Sequence, residues 1–463
     1  MSRPPVLLVV GGGLSGLVAA HEARALVPDA EILLVEATGR PGGKLETVDF
    51  PSGPMELGAE AFIRRRPEAA ELVAELGLES RLHHPSDRGS AILSGGRLHP
   101  MPAGTLMGLP SDAHALSGLL APGEVDRAAR EAELPLDWTP GGDVPLGGFV
   151  AERFGPAVVT RLVDPMLGGV YAAPSAGLGL REVVPGLAER LDAGAASLTA
   201  AARDLVSRRV PGPVFATFDG GYRTLVDALL ATSGARLRTD TRVAALSAGP
   251  GGAGPVTAEL HGPGGVERVS ADAVVLAVPV PDAVPLLRPL APTAAGELSA
   301  VPTASSAVVA LEVDRSLALP EHSGVLVATD EPVPFKAITF SSRKWPHLDD
   351  RPGHLLRVSF GRLGATEVLA HDDAGLVDLA REALVTVTGG APEILHARVR
   401  RWTDGLPGIG PGHTDRIAGV RARLAAEAPP VELVGAATEG VGVPACIGSA
   451  RAAARRLAAR WQD

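Results

Sequence analysis

The sequence predicts an α/β protein built on a doubly wound parallel sheet, with a helical segment and a second, mixed sheet inserted into it. Three observations support this fold class. The chain opens with a strand, a glycine turn, a helix and a second strand. It closes with another strand, glycine loop and helix, and short helices followed by further strands fill the middle. Because 463 residues exceed one hydrophobic core, we expect two or three domains.

The first element is a strand that ends at a glycine turn. Val6 to Val10 is a continuous apolar run, which is typical of a parallel strand buried on both faces. Gly11, Gly13 and Gly16 then fit the pattern GxGxxG. The first glycine permits the tight turn, the second lets backbone approach a pyrophosphate, and the third lets the helix pack against the strand. Because a helix N-terminus stabilises an anion, the segment predicts a Rossmann-like dinucleotide site.

An acidic residue limits which dinucleotide binds there. Ile32 to Val35 predicts the second strand, and Glu36 follows 20 residues after Gly16. A carboxylate at this distance accepts hydrogen bonds from both ribose hydroxyls and repels a 2′-phosphate. The ligand is therefore expected to be FAD or NAD rather than NADP.

The segment GRPGGK, from Gly39 to Lys44, favours FAD over NAD. A second glycine pair after the ribose acid, followed by a cation, resembles the motif of the glutathione-reductase and amine-oxidase type flavoproteins. In that group Lys44 would lie near the diphosphate and ribose. The alternative is an ordinary surface turn with a solvated lysine.

Composition and charge exclude several classes of function. Lys and Arg number 43 and Asp and Glu 53, so the formal charge of −10 argues against a nucleic-acid partner and an electrostatic membrane anchor. The single cysteine, Cys446, excludes an intramolecular disulfide and a cysteine metal cluster, so we expect no metal site and a cytoplasmic location. The uncharged run from Pro4 to Ala20 lacks a basic leader and carries the glycine turn, so we expect neither a signal peptide nor a membrane span.

A basic cluster follows the next glycine. Gly58 and Ala59 would let backbone approach a planar ring, and Glu60 could hydrogen-bond to nearby backbone. Three consecutive arginines, 64–66, then form a dense positive cluster beside the expected cofactor. The alternative is a solvated loop before a helix, since Pro67 with acidic residues after it is typical of a helix start.

The middle of the chain predicts the insertions. Short helices broken by glycine and proline, from about Gly104 to Arg209, indicate a helical domain whose faces fit core packing better than a bilayer. A helix from Arg223 to Leu230 follows. The runs LRTDTRVAAL, with Val243 in mid-strand, and ADAVVLAVPVP predict strands that complete the doubly wound sheet. SSAVVALEV, VPFKAITFSSRKWP and HLLRVSFGRLG predict a second, more antiparallel sheet in a substrate domain.

The tail predicts a second helix N-terminus for the cofactor. VELVGAATEGVGVPACIG contains a strand, a glycine loop and a helix expected to start near Ile447, so both ends of the chain would build one cofactor domain. Cys446, just before that helix, is a small buried residue or, as the alternative, a covalent flavin anchor. The expected domains are 1–75, 217–285 and 395–463 for FAD, 76–105 and 286–394 for substrate, and 106–216 for the helices.

With these motifs in order, the chain resembles the oxygen-dependent protoporphyrinogen and coproporphyrinogen oxidases, within the amine-oxidase-like flavoproteins. The resemblance runs from Val6 to the last helix and rests on LGAEAFIRRRP, DPMLGGVYA, FDGGYRTLVDAL, FSSRKWPH, RWTDGLPGIGPGH and EGVGVPACI. FSSRKWPH and EGVGVPACI separate this family from general amine oxidases. Four positions depart from the family pattern: Ala59, Ala61, Thr438 and Ala445.

The resemblance implies a set of site residues. Non-covalent FAD would be held by Gly11, Gly12, Gly13, Leu14, Ser15, Gly16, Glu36, Ala37, Lys44, Gly58, Ala59, Glu60, Ala61, Val243, Trp402, Val441, Gly442 and Val443. Arg66 takes the place of a basic residue thought to meet the porphyrinogen. Since arginine pairs with carboxylates through two hydrogen bonds, Arg65 and Arg66, then Arg357 and Arg343, are the expected partners of substrate propionates.

The resemblance also implies the chemistry. Hydride would leave a meso bridge of the porphyrinogen for flavin N5, and the pyrrole would then shed an N–H proton, so no side-chain base is expected. Three rounds, each reoxidised by O2 to H2O2, complete the six-electron oxidation. A basic cluster without a membrane segment favours coproporphyrinogen III, with four carboxylates, over protoporphyrinogen IX, with two. A transient contact with a downstream ferrochelatase is a further possibility.

Other functions share this fold. A flavin amine oxidase usually presents an aromatic pair before the flavin, whereas the only tyrosines here, Tyr171 and Tyr222, lie outside the tail loop. A carotenoid-type desaturase would not turn over porphyrinogen. A flavin-requiring isomerase would take up no oxygen. A non-enzymatic escort protein for prenylated GTPases would lack a flavin spectrum.

Overall fold

A five-stranded parallel sheet is formed from both ends of the chain. The computed structural model describes residues 3–248, 254–428 and 430–462, and its elements are numbered in chain order. The strands of this sheet are β1 (Val6–Val10), β2 (Glu31–Val35), β12 (Arg236–Arg238), β16 (Ala273–Leu276) and β22 (Val431–Leu433). Their order is β12-β2-β1-β16-β22, and every neighbouring pair is parallel. The predicted α/β fold class is confirmed.

Helices cover both faces of this sheet. One face carries α1 (Leu14–Leu26), α2 (Pro67–Glu75), α10 (Arg223–Ser233) and α17 (Val443–Gln462), and the other carries α11 (Val280–Leu287), α12 (Pro292–Leu298) and α15 (His413–Glu427). Leu7 and Val9 of β1 are buried against the first set, and Leu8 and Val10 against the second. Burial of alternate residues in two different cores explains why the run is apolar at every position.

Two expectations about these elements need correction. The last helix begins at Val443, so Cys446 lies in its first turn and not before a helix starting at Ile447. The strand that carries Val243, β13 (Arg242–Ser247), does not join the parallel sheet. It forms an antiparallel sheet with β14 (Val256–Gly262) and β15 (Gly265–Ala271). Only Val243 and Leu246 of its six residues are buried, which suits a sheet with one solvated face.

The second large sheet has seven strands and is mostly antiparallel. They are β7 (Ala91–Ser94), β8 (Arg97–Pro100), β17 (Thr303–Val313), β18 (Gly324–Val327), β19 (Phe335–Thr339), β20 (His354–Phe360) and β21 (Ile394–Pro407). The order is β21-β17-β20-β19-β18-β7-β8, with only β18 and β7 parallel. One face packs under α14 (Asp373–Thr388). The strands expected in an antiparallel substrate layer all lie here.

Two of the expected domain boundaries do not coincide with the ends of the sheets and helices. The cofactor segment expected to start at 395 begins inside β21, which pairs with β17 in the seven-stranded sheet from residue 394 to residue 407. The segment expected to leave the cofactor domain at 286 divides α11, and α12 also packs on the parallel sheet. A boundary drawn from sequence follows composition, whereas β21 and α12 are assigned by their hydrogen bonds and packing.

Short helices fill the segment between the two sheets. They are α3 (Pro122–Ala129), α4 (Leu146–Phe154), α5 (Pro156–Val158), α6 (Asp164–Tyr171), α7 (Leu180–Val183), α8 (Pro185–Asp192) and α9 (Leu198–Ser207). Their apolar faces share one core. A two-stranded sheet, β9 (Thr105–Leu106) and β10 (Leu109–Pro110), precedes them. Within the three described ranges, no helix has both the length and the apolar surface needed to cross a bilayer.

The remaining elements join these layers. They are the hairpin β3 (Thr47–Phe50) and β4 (Gly53–Glu56), the small sheet of β5 (Phe62–Ile63), β11 (Phe215–Phe218) and β6 (Leu82–His83), and the helices α13 (Ser341–Lys344) and α16 (Ala436–Glu439). The hairpin and β5 flank the loop 57–61, which runs between the parallel sheet and the seven-stranded sheet.

Candidate functional site

A cavity of about 590 Å³ lies at the carboxyl ends of the parallel strands and is lined by both ends of the chain. This is where ligands bind in open α/β sheets. Twelve of the eighteen residues expected to hold the cofactor line it: Gly11, Gly13, Leu14, Ser15, Glu36, Ala37, Lys44, Ala59, Val243, Trp402, Val441 and Val443. The structure therefore brings together groups that are more than 400 residues apart in the sequence.

The other six expected residues do not line the cavity. They are Gly12, Gly16, Gly58, Glu60, Ala61 and Gly442. Backbone carbonyl groups come so close to Gly16 and Gly58 that neither position has room for a side chain. A Cβ on Gly16 would lie 2.0 Å from the Gly11 carbonyl oxygen, and a Cβ on Gly58 would lie 1.8 Å from the Lys44 carbonyl oxygen.

Two glycine loops meet at the start of α1. Gly11 has φ +102° and donates its N–H to the Val35 carbonyl oxygen at 2.8 Å. Gly42 donates to the Gly12 carbonyl oxygen at 2.8 Å, and a Cβ on Gly43 would lie 2.9 Å from the Cα of Gly13. Side chains are thus excluded where the two loops touch, so backbone rather than side chains forms this part of the cavity wall.

Glu36 is held in place by three hydrogen bonds. Its Oε2 accepts from the Gly12 N–H at 2.9 Å, and its Oε1 accepts from the Thr38 N–H at 2.8 Å and the Thr38 hydroxyl at 2.7 Å. A carboxylate offers about four acceptor positions, so one remains for a ligand hydroxyl. Val243 and Thr241 line the same end of the cavity.

Lys44 provides a test of whether the cavity suits an anionic group. The side chain is half-buried and lines the cavity. Burial lowers the pKa of its ammonium group. Among the described residues no carboxylate lies within 4.0 Å of it. A partly desolvated cation without a counter-ion fits a site whose ligand carries the negative charge, such as a diphosphate.

Several lining residues were missed by the sequence reasoning. Arg40 fixes the 40–46 loop through hydrogen bonds to the Gly43 carbonyl and to Glu46, at 2.9 and 2.7 Å. Glu46 also pairs with Arg400 at 2.9 Å, and the Arg400 guanidinium lies 4.8 Å from the centre of the Trp402 ring. Thr241, Arg242, Cys446 and residues 403–406 line the cavity as well. Arg40 lies inside the GRPGGK motif, residues 403–406 inside RWTDGLPGIGPGH and Cys446 inside EGVGVPACI, so these motifs were the available signal.

Glu60 connects the cofactor loop to the seven-stranded sheet. It accepts hydrogen bonds from the Ser341 hydroxyl at 2.5 Å and the Lys344 ammonium at 2.7 Å, and Arg357 lies 4.0 Å away. Burial alone would raise the pKa of Glu60, but the two cations and the hydrogen bonds outweigh it and lower the pKa to about 2. Glu60 therefore stays charged and ties the loop to α13 and β20.

The four arginines expected to bind substrate occupy different environments. Arg357 donates to the Gly58 carbonyl oxygen at 2.6 Å, directly behind the cofactor loop. Arg66 pairs with Glu68 at 2.7 Å on the surface, and Arg65 hydrogen-bonds to the Gly212 carbonyl oxygen. Arg343 lies 3.9 Å from Glu321. The four side chains are not brought together, and none of them lines the 590 Å³ cavity.

A second buried carboxyl, Glu56, has the opposite electrostatics. It lines a separate cavity of about 420 Å³ with Glu60, Trp345 and His347. Its Oε1 accepts from the Thr47 hydroxyl and the Tyr222 N–H, both at 2.8 Å, and its Oε2 has no protein partner among the described residues. Burial raises the pKa of Glu56 to about 7, although those two hydrogen bonds act against it.

Replacing Glu56 with glutamine is expected to remove a pH-dependent loss of stability. The pKa of Glu56 is about 7 in the folded chain and 4.5 in the reference state. Because the folded state holds its proton more tightly, wild-type stability falls as pH rises between these values. Glu56→Gln should therefore gain about 3 kcal/mol relative to wild type from pH 4.5 to pH 7.5, measured by urea unfolding. The exposed Glu321→Gln is the control, and a parallel profile for the two variants would contradict the assignment.

Comparison with known proteins agrees with this architecture. The family model described as flavin containing amine oxidoreductase matches residues 14–458. The chain is 44% identical over 448 residues, 96% of each chain, to coproporphyrinogen III oxidase of Mycobacterium tuberculosis H37Rv. It is 30% identical to coproporphyrinogen III oxidase of Bacillus subtilis 168, again over 96% of each chain.

The solved structures lead to the same group. An Exiguobacterium protein provisionally named a protoporphyrinogen oxidase superposes with a TM-score of 0.89 and 30% identity, over 99% of this chain and 100% of that one. The expected resemblance is thereby confirmed, and with it the flavin. Residues from both ends of the chain line the cavity, the family model matches nearly the full length, and the Exiguobacterium structure superposes closely. The chain therefore belongs to the flavin-containing amine oxidoreductase family.

Proposed function

We propose that this protein is an oxygen-dependent FAD oxidase that converts coproporphyrinogen III to coproporphyrin III in porphyrin and heme biosynthesis. The observation that carries the proposal is the 44% identity, over 96% of both chains, to the mycobacterial coproporphyrinogen III oxidase. This match spans nearly the whole chain, and the cavity lining is drawn from both of its ends.

FAD is proposed as the flavin, bound without a covalent link. The backbone N–H groups of residues 13–15 at the start of α1 and the Lys44 ammonium would hold the diphosphate, and Glu36 would hold the ribose. Val243 and Trp402 would flank the rest of the cofactor. Burial raises the pKa of the Cys446 thiol, which keeps it protonated and a poor nucleophile for covalent attachment.

Bound FAD would supply two-electron oxidation and pass the electrons to O2, which yields H2O2. The chain itself has to hold a meso bridge of the substrate against the cofactor and keep water out. A pyrrole nitrogen can push electrons out as the hydride leaves and then lose its own proton, so no side-chain base is required. The Glu60 cluster supports this role by fixing the 57–61 loop to β20 and α13.

The finer assignments belong to the same proposal. Arg357, Arg343, Arg65 and Arg66 are retained as propionate-binding candidates, and Arg357 has the strongest support because it contacts the cofactor loop. We divide the chain into a cofactor domain, a seven-stranded substrate domain and a helical domain, with boundaries moved to follow α12 and β21. A cytoplasmic location fits the single cysteine, and coproporphyrin would pass on to a ferrochelatase.

Protoporphyrinogen IX is the second candidate substrate, because the Exiguobacterium neighbour carries that name. A direct assay separates the two. Purified protein loaded with FAD is mixed under air with each porphyrinogen, and porphyrin fluorescence, O2 uptake and H2O2 are recorded. We expect three O2 consumed and three H2O2 formed per coproporphyrin, with the higher kcat/KM for coproporphyrinogen III.

The control is the same protein stripped of its flavin. Porphyrin formation no faster than in this control would contradict an oxidase. A higher kcat/KM for protoporphyrinogen IX would replace the proposed substrate with the second candidate.

A further inference from the structure

The lysines of this chain occupy interior positions. The sequence has 3 lysines among its 43 basic residues. Lys44 lines the cofactor cavity and Lys344 pairs with Glu60. Lys336, on β19, is the most buried of the three, with 9% of its surface exposed. A compact ammonium is the basic group that fits a confined anion site, and Lys344 already has such a partner in Glu60.

Lys336 has no counter-ion. Among the described residues no carboxylate lies within 4.0 Å of its ammonium, and no hydrogen bond from it is formed. Burial and the charge of Arg362 lower the pKa of Lys336 to about 8, so it is still mainly protonated at neutral pH. A buried charge is costly unless it is paired. Lys336 is only 9% exposed, and no described protein group offsets the cost of burying its charge.

Arg362 lies beside Lys336 and is also incompletely paired. It follows β20, whose last residue, Phe360, pairs with Phe335 next to Lys336. The Arg362 guanidinium donates to the Val327 carbonyl oxygen at 3.4 Å, and its buried Nε has no partner in the described part of the chain. The nearby Asp164 accepts hydrogen bonds from the N–H and hydroxyl of Ser175 instead. Two neighbouring cations therefore lie at this junction, and no carboxylate of the described residues comes within 4.0 Å of either.

Helix α6 covers this junction with a glycine. The helix packs on β18 and β19 here, and it presents Gly168 to Arg362. A Cβ on Gly168 would be in ordinary contact with Arg362, 3.8 Å from its Nε, so the helix brings no side chain between the two cations. A register shift between Phe335 and Ala337 places Lys336 in a bulge of β19, a device that re-aims a side chain out of the regular alternation.

The same strand leads to the cofactor loop. Thr339 of β19 pairs with Arg357, which donates to the Gly58 carbonyl oxygen. Lys336 comes three residues earlier, about 10 Å along the strand. A substrate whose reacting carbon meets the cofactor beyond this loop could place a peripheral group near Lys336.

We propose that Lys336 and Arg362 form a carboxylate subsite that holds one propionate of the polycarboxylated tetrapyrrole, at the junction of α6 with β18 and β19. The inference rests on the proposed function and adds to it a binding pair outside the four arginines expected from sequence. The ligand carboxylate would supply the negative charge that the two cations lack, through charge-assisted hydrogen bonds.

The subsite is tested by equilibrium binding of coproporphyrin III, the stable oxidised product, followed by fluorescence. Lys336→Met should raise the Kd by about tenfold or more, since one charge-assisted contact is lost. Lys336→Arg should restore the Kd to within about threefold, because it keeps the charge. The uncharged tetramethyl ester of coproporphyrin III should bind wild type and Lys336→Met equally. Arg268→Met, on the exposed strand β15, is the matched control and should leave the Kd unchanged.

A stability measurement separates binding from a structural role. Without ligand, Lys336→Met should melt no lower than wild type, because the substitution removes an unpaired buried charge. Arg362→Met provides a second, independent variant and should weaken coproporphyrin III binding in the same way. An unchanged Kd in both variants, an equal loss for the ester, or no rescue by arginine would overturn the subsite. If wild type fails to oxidise coproporphyrinogen III, the proposed function fails; if wild type oxidises it and the variants bind normally, only the subsite fails.

Discussion

Gly16→Ala is expected to give a protein that no longer retains flavin. The added Cβ would lie 2.0 Å from the Gly11 carbonyl oxygen, so α1 has to move away from the glycine turn. The backbone N–H groups at the start of α1 would then lose their alignment with the cofactor phosphates. We expect the Kd for FAD to rise by about 100-fold or more, and overpacking to lower the free energy of unfolding by about 1–3 kcal/mol. Flavin absorbance after gel filtration measures how much flavin the protein retains, and a FAD titration of the flavin-free protein measures the Kd.

The matched control is Gly296→Ala in α12. A Cβ there meets nothing within 4 Å, and alanine favours a helix over glycine by about 1 kcal/mol. This variant should remain yellow and melt no lower than wild type. A Gly16→Ala protein that keeps its flavin at wild-type affinity would show that close approach of α1 to the turn is not needed.

Glu60→Gln is expected to destabilise the protein by about 3 kcal/mol at pH 7. The substitution leaves Lys344 and Arg357 buried without their shared carboxylate, and a buried cation that loses its partner is costly. The pKa of Glu60 is lowered from 4.5 to about 2 in the folded chain. Its contribution is therefore present above pH 4.5 and is lost as pH falls towards 2. The gap between wild type and Glu60→Gln, measured by urea unfolding, should narrow by about 2 kcal/mol from pH 7 to pH 3.

Glu68→Gln is the control for this experiment. Glu68 pairs with Arg66 at 2.7 Å, but the arginine is largely exposed, and a surface pair contributes about 1 kcal/mol or less. Equal losses of unfolding free energy in the two glutamine variants would mean that burial does not strengthen the Glu60 ion pairs.

Glu56 and Glu60 should also give pH profiles of opposite sign, although they line the same 420 Å³ cavity. Burial dominates at Glu56 and raises its pKa, whereas the paired cations dominate at Glu60 and lower its pKa.

The cofactor cavity is held together by charges from distant segments. Glu46, beside the glycine loop, pairs with both Arg40 and Arg400, and Glu60 pairs with Lys344. The pair with Arg40 lies within the N-terminal cofactor segment. The pair with Arg400 joins this segment to β21, and the pair with Lys344 joins it to α13. Substitutions in these pairs should therefore affect cofactor binding and stability together, even though Glu60 does not line the cofactor cavity.

The sequence was informative wherever function depends on a local backbone pattern. The GxGxxG turn, Glu36 and GRPGGK form within one continuous segment, so spacing alone located them. The expected roles of Arg65 and Arg66 depend instead on where a surface loop lies relative to the substrate, and the structure places Arg66 against Glu68. Strand β13 was wrongly assigned to the parallel sheet because an apolar run does not reveal its hydrogen-bonding partner.

By itself, the sequence determined the fold class, the dinucleotide turn and the contribution of both chain ends to one cofactor domain. These features follow from hydrophobic periodicity and from glycines at fixed spacing, which act over a few residues. Only the tertiary structure decided that β21 belongs to the second sheet, that Glu60 meets Lys344 and Arg357, and that Lys336 and Arg362 are neighbours with no described carboxylate within 4.0 Å. Charge pairing and desolvation depend on distances between segments far apart in the chain, and a linear pattern does not specify those distances.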